Sequence, residues 1–504
     1  MFDQRNLFEH LLYSLLAAVG LFVVIVSTDK FGAGVSPDSV AYVAAARSLS
    51  SGYGYLYYDG TPFTLWPPLL PTILAGGIVL GFDVIQFARV FNALTFGLTI
   101  FCIGQIALRI IDSRALRFIV ATIALFSFPL LKPAVMVWSE PLFILLVLVF
   151  IQFLGQLRKT GSLSLGSVAT LTGIAACACL QRYLGVVFVL CGVVSMLSSH
   201  RVRWRERIIA TSGFLILSLL PLAMWIYRNH AFGGGAAGPR VPSTASVLTS
   251  LQDLLTVWTN WYLPFYSTNM ARIAAFVLSV VLVTILVFVK PTQPDGVGSR
   301  KGSGFFYVAA IFVLAYCAAL LAITNTIALE PISQRYLAPI FPIVLLFEFK
   351  AFEELVRLCE RKVNVNRIRL LLLGLPLIIL SESAITALDV ISIWRREGAG
   401  DYTQADWQRS ELIEWLAKHP LNGQFYSNAA DFMYLKTGLV VHSLPSRGAD
   451  LKFWRERMNA GDKHYATWFT QSFRTYIYTP VEVSEAFKLM PIFLGEKEAL
   501  FELK

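Results

Sequence analysis

Charge is scarce in this sequence. Asp, Glu, Lys and Arg make up 15% of the 504 residues, against roughly 25% in a soluble domain. The shortage runs through the first four-fifths of the chain, which excludes a single anchor on an otherwise soluble protein. Other absences narrow the function. No GxxxxGK(S/T) occurs, so no nucleotide-driven pump is expected. No HExxH occurs and the six histidines are scattered, which excludes a zinc protease of that type. No CxxC appears. Cys102, Cys177, Cys179, Cys191 and Cys317 lie in apolar segments, Cys359 in a loop, and residues 389–504 contain no cysteine. Disulfides therefore hold nothing at the C-terminal end. No nucleic-acid-binding motif accompanies the net charge of +10. Those cations read instead as loop charges that fix orientation in a membrane.

What is present is a series of apolar runs, each about twenty residues long, enough to cross roughly 30 Å of hydrocarbon. The chain reads as a polytopic α-helical membrane protein of about eleven spans. They fall near 11–28, 86–108, 118–131, 138–157, 165–180, 184–198, 208–226, 271–289, 305–323, 336–350 and 369–388. The first lacks a convincing small-residue cleavage site, so it is expected to remain as an uncleaved span. Arg182 interrupts the stretch from 165 to 198, and one long helix there would invert everything downstream. Two helices make every alternate loop basic, from Arg109, Arg114 and Arg117 to Lys350, Arg357, Arg361 and Lys362. That places the N-terminus in the cytoplasm and the C-terminal segment on the outer face of the inner (plasma) membrane.

Residues 1–388 are thus expected to form the membrane domain and 389–504 a small extracytoplasmic α/β domain. In the latter, Ala405 to His419 has helical periodicity. Gln424 to Ser427, Leu439 to Leu444, Thr475 to Tyr478 and Leu500 to Leu503 read as strands. Between spans, Val247, Leu251, Leu254, Trp258 and Trp261 form a helical stripe. It suits a helix in the membrane interface or one docked on the protein.

The first outer loop carries the most chemistry. Ser36-Pro37-Asp38 reads as a helix start, with Ser36 as N-cap and Pro37 at the first helical position. Asp38 then lies in the first turn, where the helix dipole favours its ionised form. It either supports the helix start alone or acts as a general base. Tyr42 follows one turn later on the same face. Glu140 is a second acidic group at the outer end of a span. Arg89, Arg182, Arg228 and Arg335 also fall at outer ends, where they suit a phosphate head group or snorkel to ordinary lipid. Tyr183 and Tyr336 follow two of them and add hydroxyl donors. No Asp-x-Asp stands in the first loop, so no divalent metal or other cofactor is expected.

These motifs resemble the membrane glycosyltransferases of the GT-C fold. The resemblance rests on Pro37-Asp-Ser-Val-Ala-Tyr42, Gly52-Tyr-Gly, Trp66-Pro-Pro-Leu, Phe87-Ala-Arg89, Ser139-Glu-Pro-Leu, Gln181-Arg-Tyr and Gln334-Arg-Tyr-Leu-Ala-Pro. It covers roughly residues 10–390, and Tyr426-Ser-Asn and Leu444-Pro resemble the outer domain of bacterial members. The protein O-mannosyltransferases and the aminoarabinose transferases of lipid A are the relatives it points to. The latter have a basic residue where Trp66 stands, and the former an acidic pair where Ser39 follows Asp38.

The resemblance implies a polyprenyl-phosphate sugar donor, attacked with inversion, and an extracytoplasmic acceptor that is a lipid, glycan or protein. Asp38 would be the base, with Glu140 a second catalytic candidate. Tyr42, Arg89, Arg182, Tyr183, Arg335 and Tyr336 would surround the donor phosphate. Membrane lipids are the other partners. A transporter or flippase is the alternative; it requires paired charges inside spans and a repeated half, and neither is evident in the sequence.

Overall fold

Apolar runs broken by Gly, Pro and charged residues give a succession of helices, and the sheet is confined to the C-terminal end. The computed structural model describes residues 4–161, 163–199, 202–261, 303–360, 365–456, 458 and 462–504, with scattered positions between 270 and 281. The span expected at 271–289 and the loop charges Arg201, Lys290, Arg300, Lys301, Arg361 and Lys362 lie outside the described residues, apart from those scattered positions. The α-helices described up to residue 397 are α1 (Gln4–Ser27), α2 (Pro37–Ser50), α3 (Leu69–Val79), α4 (Val84–Ile110), α5 (Arg114–Phe126), α6 (Phe128–Ala134), α7 (Glu140–Thr160), α8 (Leu165–Gln181), α9 (Val186–Leu197), α10 (Trp204–Ala231), α11 (Val247–Thr259), α12 (Ser303–Thr326), α13 (Gln334–Leu337), α14 (Phe341–Glu360) and α15 (Val365–Glu397).

Two units share the chain. One comprises Met1–Asp29, Thr64–Leu70 and Arg89–Ile393; the other Lys30–Phe63, Pro71–Ala88 and Trp394–Lys504.

In the first unit, segments of α1, α4, α7, α10, α12 and α15 are long and apolar enough to cross a membrane. They run from 21 to 28 residues, or about 30–40 Å at 1.5 Å per residue. The bent pair α5 and α6, at 45°, would be a seventh. The chain is a multi-pass membrane protein by this measure. The spans expected at 165–180 and 184–198 are shorter apolar helices. They are separate, as the charge pattern requires: Arg182 is extended (φ −151°, ψ 144°) between α8 and a short 3-10 turn leading into α9. Gly185 permits the break, because a Cβ there would meet the Ala178 carbonyl at 2.3 Å.

The core of this unit is aromatic. Phe188 lies 5.3 Å from Phe143, 5.0 Å from Phe150 and 5.2 Å from Phe312. Helices α7 and α12 approach closely at Gly155 and Gly304, the small-residue contact common between membrane helices. The α11 stripe is divided: Val247 and Leu251 are exposed, whereas Leu254 and Trp261 are buried, with Trp261 edge-on against Phe341. Helix α14 ends in charge that is mostly used internally. Lys350 is buried and pairs with Glu353 at 2.7 Å and Glu354 at 3.0 Å. Glu353 accepts the Asp112 and Ser113 amides at the start of α5.

The second unit is built on a five-stranded sheet of order β2-β1-β3-β5-β4. Its strands are β1 (Gln424–Ser427), β2 (Val441–Ser443), β3 (His464–Phe469), β4 (Leu489–Leu494) and β5 (Glu498–Leu503). Strand β1 pairs in parallel with β2 and β3, whereas β5 runs antiparallel to β3 and β4. The expected strand at Thr475 to Tyr478 makes only an isolated bridge, Ser446 to Ile477. Helix α2 packs on the helix Ala430–Thr437 that follows β1.

Candidate active site

Helix α2 starts as its sequence dictates. Ser36 caps it, Ser36 and Ser39 bond each other's backbone N–H, and Pro37 fills the first turn. Asp38 lies in that turn and is half-buried. The approach to the helix is pinned: Val35 bridges Asp401 and accepts the Tyr402 amide at 3.0 Å. Val40, Ala44, Ala45 and Ala46 are all within 1% of fully buried, so the helix has little room to shift. Arg47 lies over the Tyr434 ring at 5.8 Å. Tyr42, expected near a phosphate, is 2% exposed, with its ring 6.3 Å from Phe63.

Behind that bridge lies a buried network. The Tyr402 hydroxyl donates to Asp431 at 2.8 Å, and Arg474 clamps both Asp431 oxygens at 2.7 and 2.8 Å. Burial first, then the Asp431 charge, pushes the Tyr402 phenol up, so it stays a donor. The same two causes push Tyr58 up to about 12.

The other candidates belong to the first unit, where three segment ends meet. Glu140 opens α7, Arg182 is the break after α8, and Arg335 stands on the single turn α13. Arg182 Nη1 and Arg335 Nε each reach Glu140 Oε1 at 2.5 Å. Glu140 is fully buried, while the two arginine side chains keep 14% and 17% exposure. The N-terminus of α7 adds partial positive charge around the carboxylate. Arg182 also donates to Ser139 Oγ at 2.9 Å, and Gln181 donates to the Ser139 carbonyl at 2.8 Å. The Arg335 guanidinium lies 4.2 Å from the Trp138 ring centroid, a cation–π contact. Lys132 approaches the same ring at 5.9 Å. Two guanidinium charges against one carboxylate leave this trio net positive.

The remaining candidates have separate surroundings. Arg89 donates to Thr28 Oγ1 at 2.9 Å and to the Ile25 carbonyl at 2.7 Å, closing the end of α1. Tyr183 donates to the Thr64 carbonyl at 3.3 Å, beside Asn229, which reaches the same oxygen at 3.2 Å. Tyr336 offers its backbone carbonyl to the Tyr316 hydroxyl at 2.8 Å. Sequence reasoning missed Trp138, Lys132 and Asn229, and named Ser139 only within the Ser139-Glu-Pro-Leu motif. A signal existed for the arginines: both belong to a Gln-Arg-Tyr triplet, at 181–183 and 334–336. Among the described residues no three His, Cys, Asp or Glu side chains gather as metal ligands.

No protein-family model matches the sequence. No curated protein matches it either. Solved structures do. ArnT from Cupriavidus metallidurans in the apo state is 14% identical, with a TM-score of 0.64 over 97% of each chain. The same protein bound to undecaprenyl phosphate gives 0.61 at 13% identity, again over 97% of each. The archaeal oligosaccharyltransferase AglB from Archaeoglobus fulgidus, in complex with an inhibitory peptide and a dolichol-phosphate, gives 0.51 at 11% identity. That match covers 97% of this chain and 73% of AglB. At such identities the likeness speaks for architecture, and the architecture of this chain is the GT-C fold of those membrane proteins.

Proposed function

We propose that this protein is a membrane glycosyltransferase that moves a sugar from a polyprenyl-phosphate carrier to an extracytoplasmic acceptor. The observation that carries the reading is the arginine pair on buried Glu140. It is supported by the fold shared with a protein solved with undecaprenyl phosphate. The donor in such a reaction is a phosphodiester with one negative charge. The departing polyprenyl phosphate gains a second as the bond between the anomeric carbon and oxygen breaks. A net-positive, water-poor cluster stabilises that gain more than it stabilises the ground state. Arg182 and Arg335 are assigned to the phosphate, and Glu140 holds both guanidiniums in place. Arg89 braces the end of α1, and Tyr183 and Tyr336 lie in the same unit as the arginines.

Asp38 takes the acceptor hydroxyl proton, the acceptor oxygen bonds to the anomeric carbon, and the electron pair of the broken bond leaves on phosphate. The sugar is inverted. No metal is required, because the arginines supply the positive charge. The test is transfer of labelled sugar from polyprenyl phosphate by purified protein. Asp38→Asn is expected to lower turnover by about 10²- to 10⁴-fold with fold intact, and wild-type transfer is expected to survive chelator. Near-normal turnover by the variant, or a chelator loss restored by Mn²⁺, would refute these roles.

We place the sheet-bearing segment 400–504 on the outer face of the plasma membrane, with Asp38, where it helps select the acceptor. Helix α2 and that segment belong to one unit, which supports the placement. A Ser446→Cys variant should react with an impermeant thiol reagent added from outside. Labelling only after lysis would reverse the topology.

A further inference from the structure

The second unit encloses a cavity of about 640 Å³, within the size range of small-molecule sites. Its walls carry charge of both signs in equal number. Lys30, Arg396, Arg409 and Lys497 supply the cations. Asp406, Glu411, Glu496 and Glu498 supply the carboxylates. Glu498 is buried and serves the wall itself: it accepts from Ser410 Oγ at 2.8 Å and from the Leu412 amide at 2.7 Å. The Lys497–Asp406 pair is loose, at 3.6 Å and well exposed. Among the described residues Arg396, Arg409, Glu411 and Glu496 have no ion-pair partner. Beside them the Gln471 Oε1 atom is buried without a hydrogen-bond partner, a cost of about 1–3 kcal/mol if nothing meets it.

Chain connectivity fixes the depth of this cavity. Lys30 stands three residues beyond Ser27, the end of the first candidate span, and Arg396 lies in the last turn of the last one, which closes at Glu397. Three residues reach about 10 Å at most. The cavity therefore opens near head-group level. A site for phosphate alone would carry excess positive charge, and a site for an acyl chain would be apolar. Balanced, unpaired charges of both signs at this depth suit a ligand whose own charges cancel.

We infer that the cavity binds the head group of a zwitterionic phospholipid that bears a phosphate and a primary ammonium. Arg396 and Arg409 meet the phosphate, and Glu411 and Glu496 accept from the ammonium. The bound lipid fastens Lys30 and Phe31 to the sheet-bearing part of the unit, five residues before the cap of α2. The site does not depend on the transferase reading.

The test is retention of lipid by the delipidated full-length protein in detergent, read by native mass spectrometry. Phosphatidylethanolamine should be retained at least tenfold better than phosphatidylglycerol, and better than phosphatidylcholine, whose quaternary ammonium donates no N–H. Arg409→Glu and Glu496→Lys, both at exposed positions, should each abolish the preference while leaving the melting temperature unchanged. Equal retention of the anionic lipid, or a preference that survives both variants, would overturn the site. Soluble phosphoethanolamine binding as tightly as the lipid would overturn the lipid as its source. Lipid retention without any sugar transfer would leave the site standing and remove only the proposed activity.

Discussion

Glu140 in the first unit and Asp431 in the second are both fully buried, and arginine holds both. The arrangements differ in stoichiometry. At Asp431 one guanidinium takes both oxygens, a tyrosine hydroxyl adds a third bond, and the charges cancel. At Glu140 two guanidiniums converge on one oxygen and the sum stays positive. A cancelled buried pair does nothing for an anion outside it; it fixes geometry. A pair with surplus charge and partly exposed cations can still attract a phosphate. Carboxylate and guanidinium thus make a neutral clamp in one place and, in the proposed function, a phosphate receptor in the other.

The largest effect that would break this contrast is on stability. Arg474→Ala leaves Asp431 buried without its countercharge, which is expected to cost about 3–5 kcal/mol. Thermal unfolding should show the second unit melting far earlier, and unchanged melting would end the clamp reading. Arg335→Ala should behave otherwise, because Arg182 still pairs with Glu140. Stability should hold while donor affinity falls by about 1.5–3 kcal/mol, read as a rise in the apparent donor KM with acceptor KM unaffected. A melting loss equal to that of Arg474→Ala would make the two clusters alike.

The smallest effect concerns an exposed carboxylate for contrast with both. Glu482 closes a capping box on Thr479, whose backbone N–H, then hydroxyl, lowers its pKa below the ordinary 4.5. A lowered pKa in the fold stabilises at pH above that ordinary value and is lost as pH falls through the lowered one. Acid titration of stability should show a slight extra loss in wild type that Glu482→Gln lacks. Superimposable curves would remove the contribution.

Much of the membrane architecture was legible because length and apolarity are local properties. So was the start of α2, since Ser36, Pro37 and Asp38 each state a position in a first turn. The break at Arg182 was legible from charge alone. Strand β3 was not. All six of its residues are buried between β1 and β5, so the alternation that marks a half-buried strand is missing. Strand β4 hid behind Pro491, which an edge strand tolerates at the bulge between Pro491 and Phe493. Thr475 to Tyr478 had strand-like residues but no neighbouring strand to pair with. In the site, residue types were readable and partnerships were not. Nothing in the spacing of 140, 182 and 335 says that they touch, and nothing marks Arg89 as a brace for α1.

Because unit two is assembled from distant pieces of chain, its biogenesis has a waiting period. Helix α2 is complete at residue 50, whereas the first strand of the sheet begins at Gln424. At synthesis rates of about 5–20 residues per second, that interval is roughly 20–75 s. Throughout it, the side of α2 that packs on the helix Ala430–Thr437 lacks that partner. A ribosome stalled between the two segments would leave that side of α2 uncovered.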